Sequence, residues 1–159
     1  MASHGGPGAV AIVDIDHFKR INDTCGHDAG DRVIVILGAL LRGTVPARGC
    51  VGRLGGEEFA VLLPGSSAEA ARALAETVRH RFTELASLSL GSDLRPTVSF
   101  GITEVAAGEP IASALARADT LLYVAKREGR DRIVCDPDAR AEGSDVPPRS
   151  SRGQPLAPP

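Results

Sequence analysis

Two extended runs, residues 51–54 and 57–63, meet at Gly55-Gly56, a pair that can take the positive φ angles a two-residue hairpin demands. Such a bend commits the chain to at least one antiparallel strand pair. The other runs alternate in type. Ala9-Val10-Ala11-Ile12-Val13 is a β-branched stretch that stops at Asp14-Ile15-Asp16, which reads as a buried strand with carboxylates at its C-terminal end. Val33, Ile34, Leu37, Leu40 and Leu41 follow helical spacing, with Asp28 and Asp31 near the start, where negative charge suits the helix dipole. Ser67 can cap a second helix with Ala71, Leu74, Ala75, Val78, Phe82 and Leu85 inward. A strand at 97–105 follows, then a helix at 111–128 with Ile111, Leu115, Ala118, Leu122 and Ala125 inward and Gly129 as its C-cap. Residues 132–135 can close the sheet. The order predicts an α+β fold: a mixed, mainly antiparallel sheet with packed helices, a ferredoxin-like βαββαβ core plus one αβ.

Length and charge narrow the partners. At 159 residues the chain is one domain's worth, and its formal charge of -2 gives no basic surplus to hold a nucleic acid or an anionic membrane. The longest apolar stretch, 33–41, is about half of the roughly 20 residues that span a bilayer. The first residues carry neither a basic segment nor an apolar core, so the expected location is cytoplasmic. Cys25, Cys50 and Cys135 lack the close spacing of a zinc or redox site. Residues 136–159 hold six of the eleven prolines among Ser, Arg and Gly and are expected to form a disordered tail behind a domain at 1–135.

The chemistry-bearing residues are acids at two distant places. Asp14 and Asp16 alternate onto one face of their strand, and Glu57 and Glu58 begin the second arm of the hairpin. If the hairpin lies beside the first strand, carboxylates converge where a hard divalent cation could bridge them to a polyphosphate. Each residue also has a plainer reading: a solvated strand end for the aspartates, a polar hairpin for the glutamates, a turn-former for Asn22, a helix-start acid for Asp31 and helix-end cations for Lys126 and Arg130. His27 lacks an orienting partner and reads as a structural hydrogen-bonder, and Leu122 and Tyr123 read as packing residues.

Four ordered motifs carry a resemblance: Asp14-Ile-Asp-His-Phe-Lys-Arg-Ile-Asn-Asp23 with Gly26-His-Asp-Ala-Gly-Asp31, then Arg53-Leu-Gly-Gly-Glu-Glu-Phe59, Thr97-Val-Ser-Phe-Gly101, and Ala118-Asp119 through Arg130. The chain resembles the GGDEF domains of diguanylate cyclases, in the GGEEF form, over residues 9–135. The resemblance implies a nucleotidyl-cyclase palm that joins two GTP molecules into cyclic di-GMP and releases two pyrophosphates. It implies Mg²⁺, with Mn²⁺ as a substitute, held by Asp14, the Ile15 carbonyl, Glu57 and Glu58, with Glu57 and Glu58 as the catalytic carboxylates and Glu57 helping to deprotonate the attacking hydroxyl. Asn22 and Asp31 would read guanine. Backbone amides at His17 and Phe18, together with Lys126 and Arg130, would hold phosphates. Gly55 and Gly56 would let the nucleotide approach the backbone. One site binds one GTP, so the resemblance also implies a homodimer.

Two departures from the family pattern shape the expectations. Pro46-Ala47-Arg48-Gly49 stands where an Arg-x-x-Asp inhibitory site usually lies, so no inhibitory site is expected. The helix and Asp-x-Leu-Thr-Gly-Leu-x-Asn-Arg segment that usually precede the first strand are not carried, which implies an N-terminally truncated domain, with any sensor partner outside this chain. A catalytically weak module that binds GTP or cyclic di-GMP is the alternative to an active cyclase.

Overall fold

The computed structural model describes residues 7–136; the expected tail beyond them lies outside the described residues. The elements run β1 (Gly8–Ile15), α1 (Phe18–Cys25), α2 (His27–Thr44), β2 (Cys50–Gly55), β3 (Glu58–Pro64), α3 (Ala68–Leu90), β4 (Val98–Val105), α4 (Ile111–Arg127) and β5 (Ile133–Cys135). The five strands form one sheet in the order β2-β3-β1-β4-β5. Three pairings are antiparallel and only β4–β5 is parallel, so the mixed, mainly antiparallel α+β sheet expected from the pattern is what forms. Among the described residues no helix is long and apolar enough to cross a membrane.

The strand pattern decides which helix covers which face. Val13, Ile15, Phe100 and Ile102 point into a core shared with Val33, Leu37 and Leu41 of α2 and Val78 and Phe82 of α3. Val10 and Ile12, one residue out of phase, pack with Ala114, Ala118 and Leu122 of α4 on the opposite face. Burying each large side chain in these layers contributes about 1.5–3 kcal/mol. α4 lies unusually close to the sheet at Gly101, where an added Cβ would stand 2.0 Å from the Ala118 carbonyl oxygen. Small residues at Ala114 and Ala118 on the helix and glycine on the strand permit this approach.

Four local expectations need correction. The short helix α1 was not foreseen; its eight residues bury only Ile21, too little apolar periodicity to announce a helix. The hairpin bend is Gly56-Glu57 rather than Gly55-Gly56, because Gly55 pairs with Glu58 across an irregularity after Arg53. Gly56 supplies the left-handed φ of 48°, and the Arg53 guanidinium donates to its carbonyl at 2.8 Å. Leu85 is exposed, and Ala86 takes the buried position at the end of the α3 stripe. Tyr123 is also exposed and lies under the Arg127 guanidinium, 5.8 Å from ring centroid to Cζ, instead of packing inward. Ser67 caps α3 as expected, its hydroxyl accepting from the Ala70 amide.

Candidate active site

β1 sits at the centre of the sheet and ends beside the hairpin. Asp14 faces Glu58 across the β1–β3 pair and Ser99 across the β1–β4 pair, so the three side chains form one row on the α4 face. The turn is tied to the strand end by the Ile15 amide, which donates to the Glu57 carbonyl at 3.4 Å. Acids separated by more than forty positions in sequence thus come together, because the hairpin lies beside the first strand.

The covering helix adds charge of both signs. Lys126, in the last turn of α4, reaches Asp14 Oδ2 at 3.0 Å. Asp14 is only 7% exposed, and burial pushes its carboxyl up to about 6 even though Lys126 pulls the other way; Glu57 and Glu58 add to the rise. Burial likewise raises Glu58, reinforced first by the charge of Asp119 and then by Glu57, with Lys126 opposing. Sequence reasoning quoted Asp119 within a motif but gave it no role. Its position seven residues before Lys126, two turns along the same helix face, was the available signal.

Asp16 shares the face of Asp14 but is consumed by the fold. Its carboxylate accepts from the Thr97 and Ser99 hydroxyls, at 2.7 Å each, and from the Asp131 amide at 3.0 Å. Three donors satisfy a side chain that is 3% exposed, so Asp16 is not left open as an oxygen donor for a cation. α4 ends at Arg127, and Arg130 lies beyond it with φ of 64°, so the two cations belong to different local structures rather than to one helical face.

At the other end of the site, His17 adopts φ of 51° as the residue before α1 and makes no side-chain cap. Helix geometry leaves the amides of Phe18 and Lys19 without intrahelical acceptors, an arrangement suited to an anion. α1 then delivers Asn22 against α2. An added Cβ at Gly30 would lie 1.8 Å from Asn22 Oδ1, so glycine makes the seat for that amide. Asn22 Oδ1 is buried and has no hydrogen-bond partner, and Asp31 stands exposed one residue beyond Gly30.

The donor set suits a hard cation that shares its coordination with a nucleotide. Asp14, Glu58 and Glu57 supply carboxylate oxygens at one place, where burial raises Asp14 and Glu58 although Lys126 offsets their mutual repulsion. Among the described residues no three acidic, histidine or cysteine side chains form a ready metal cage. Mg²⁺ commonly takes one or two carboxylates and completes its shell with substrate phosphates and water, so a partial protein set is compatible with it.

Comparison with known proteins bears on this arrangement. The family model described as diguanylate cyclase, GGDEF domain, matches residues 1–132. Diguanylate cyclase DgcP of Pseudomonas aeruginosa is 46% identical over 129 residues, which cover 81% of this chain and 19% of that protein. Diguanylate cyclase VdcA of Vibrio cholerae is 39% identical over 132 residues, covering 79% of this chain and 38% of that protein. The chain therefore spans well under half the length of these relatives. Among solved structures, the active GGEEF domain of a diguanylate cyclase from Vibrio cholerae superposes with a TM-score of 0.73 at 34% identity, over 84% of this chain and 85% of that one. Diguanylate cyclase SiaD of Pseudomonas aeruginosa, solved in complex with its activator SiaC, gives a TM-score of 0.74 at 39% identity, over 84% of this chain and 51% of that one.

Proposed function

The chain belongs to the GGDEF family of diguanylate cyclases, and from that premise we propose that it condenses two molecules of GTP into cyclic di-GMP at the site formed by β1, the β2–β3 turn and α4. The observation that carries the reading is the convergence of Asp14, Glu57 and Glu58 at the end of β1 from which α1 starts. Each 3′-hydroxyl attacks the α-phosphate of the other nucleotide. Two phosphodiester bonds form, two bonds between α- and β-phosphates break, and two pyrophosphates and two protons leave.

Asp14, the Ile15 carbonyl, Glu57 and Glu58 are the groups that would hold Mg²⁺, or Mn²⁺ in its place. The ion supplies charge neutralisation of the triphosphate and polarisation of the reacting oxygens. Glu57, in the bend and half-buried, is placed to take the proton of the attacking hydroxyl. Lys126 is held at 3.0 Å from Asp14 in this structure, and it can exchange that partner for a phosphate oxygen once the carboxylate has a cation to bind. Arg130 and the amides of His17 and Phe18 hold the remaining phosphate charge. Gly55 and Gly56 leave the backbone open to the nucleotide. Asn22 and Asp31 read the guanine edge, where a carboxylate accepts from two neighbouring N–H donors that adenine lacks.

Each site accommodates one GTP, so the two reacting nucleotides must be brought together by two copies of the domain. The test is to incubate the purified chain with GTP and MgCl₂ and to measure cyclic di-GMP, with Glu57→Gln alongside. Product from the wild type and a loss of about 100-fold or more in the variant is expected for removal of a general base. Undiminished product from the variant removes the role given to Glu57. Saturable GTP binding without any product would make the chain a binding module.

A further inference from the structure

The turn after α4 is tied through Asp16 to the end of the strand that carries Asp14. Arg130 and Asp131 both lie at positive φ, 64° and 46°, directly after Gly129 at 119°. Two successive non-glycine residues in that region persist only where the surroundings over-determine them. Here the surroundings do. The Arg130 amide donates to the Ala125 carbonyl at 3.0 Å, and Arg132 Nε donates to the Arg130 carbonyl at 3.1 Å. The Asp131 amide donates to Asp16 Oδ2 at 3.0 Å. Arg79 of α3 donates through Nη1 to Asp131 Oδ1 at 2.6 Å and to the Asp131 carbonyl at 3.3 Å, while its other nitrogens meet Glu76 Oε2 at 3.0 Å. Asp131 is thus gripped at its amide, carbonyl and side chain by two elements far apart in sequence. Among the described residues the Arg130 guanidinium itself has no acidic partner.

We propose that Asp16 and Arg79 are positioning residues that fix the 129–132 turn and so aim Arg130 at the nucleotide's phosphates. The proposal rests on the phosphate-binding role given to Arg130 above. It explains why the carboxylate of the buried Asp16, two residues after Asp14, is taken up by donors: one of them is the Asp131 amide of the turn. It also explains why the Arg79 guanidinium is shared between Glu76 and Asp131. Satisfying Asp131 with Arg79 leaves the charge of Arg130 for the substrate.

A double-mutant cycle separates positioning from general stability. Binding of the non-cleavable α,β-methylene analogue of GTP with Mg²⁺, and of guanosine, which lacks phosphates, is measured for the full chain carrying Arg79→Ala, Arg130→Ala or both. Arg79→Ala is expected to weaken the analogue by about 5- to 10-fold, to leave guanosine unchanged, and to add nothing once Arg130 is alanine. Arg79→Lys, which keeps a donor for Asp131, is expected to recover most of the loss. Independent addition of the two effects, or an equal loss for guanosine, overturns the positioning role while leaving the phosphate role of Arg130 standing. No effect of Arg130→Ala overturns that phosphate role, and the positioning proposal falls with it. Because the substitutions fall on Arg79 and Arg130, the cycle does not depend on the buried Asp16 tolerating substitution.

Discussion

At Asp14 burial and charge pull in opposite directions, and burial wins. Its carboxyl titrates near 6 in the folded chain against an ordinary value of 3.8. Between those values the folded state binds the extra proton, so stability falls as pH rises through the window and the penalty is complete above it. The full shift corresponds to about 3 kcal/mol, of which screening by solvent and the loss of the Lys126 contact leave roughly 1–2 kcal/mol to be gained by removing the charge. Asp14→Asn is therefore expected to be more stable than the wild type at pH 7.5, to lose most of that advantage at pH 4, and to make no cyclic di-GMP. Thermal unfolding at the two pH values measures it, and a variant no more stable at pH 7.5 contradicts the account. Residue types alone could place Asp14 at a strand end. That its partner is Lys126, over a hundred positions away, and that Asp16 two residues on faces three hydrogen-bond donors, required the register of three strands.

Among elements, the α1–α2 corner has the clearest functional consequence. α1 is too short to be stable alone and is held by packing on α2, with Ile21 and Phe18 against the core. The same contact buries the Asn22 amide against Gly30. Gly30→Ala places a methyl group inside the space of Asn22 Oδ1 and 3.1 Å from Phe18 Cζ, so the amide must leave its seat. Overpacking of this kind destabilises by about 1–3 kcal/mol. If Asn22 helps read guanine, GTP binding weakens by about 10-fold while weak ATP binding is unaltered, since one or two hydrogen bonds at about 1 kcal/mol each are lost only for guanine. Competition of the two nucleotides for the same site measures the change. A GTP preference that survives the substitution takes Asn22 out of the guanine-reading pair.

For the whole molecule, the sheet order puts the site at one end of the central strand, with α2 and α3 packed on the other face. In the proposed reaction a second copy presents the second GTP. Turnover per subunit is expected to fall steeply on dilution, approaching proportionality to concentration once the chain is mostly monomeric. Initial rates over a 100-fold range of protein concentration at saturating GTP, with sedimentation at the same concentrations, provide the check. A constant turnover number in a monomeric sample would refute the two-copy mechanism.

Local information sufficed for much of this protein. β-branched runs, helical stripes and the capping Ser67 located the long elements because each depends on neighbours within a turn or two of chain. The motif set marked Asp14, Glu57, Glu58, Asn22, Asp31, Lys126 and Arg130 as residues to follow. Tertiary structure decided what those residues touch. The order β2-β3-β1-β4-β5, the displacement of the bend to Gly56-Glu57, the seat of Asn22 on Gly30 and the clamp on Asp131 all arise from pairings across long stretches of chain. Such pairings are selected by the packing of whole faces, and a side chain's own sequence neighbourhood carries no record of which distant donor will meet it.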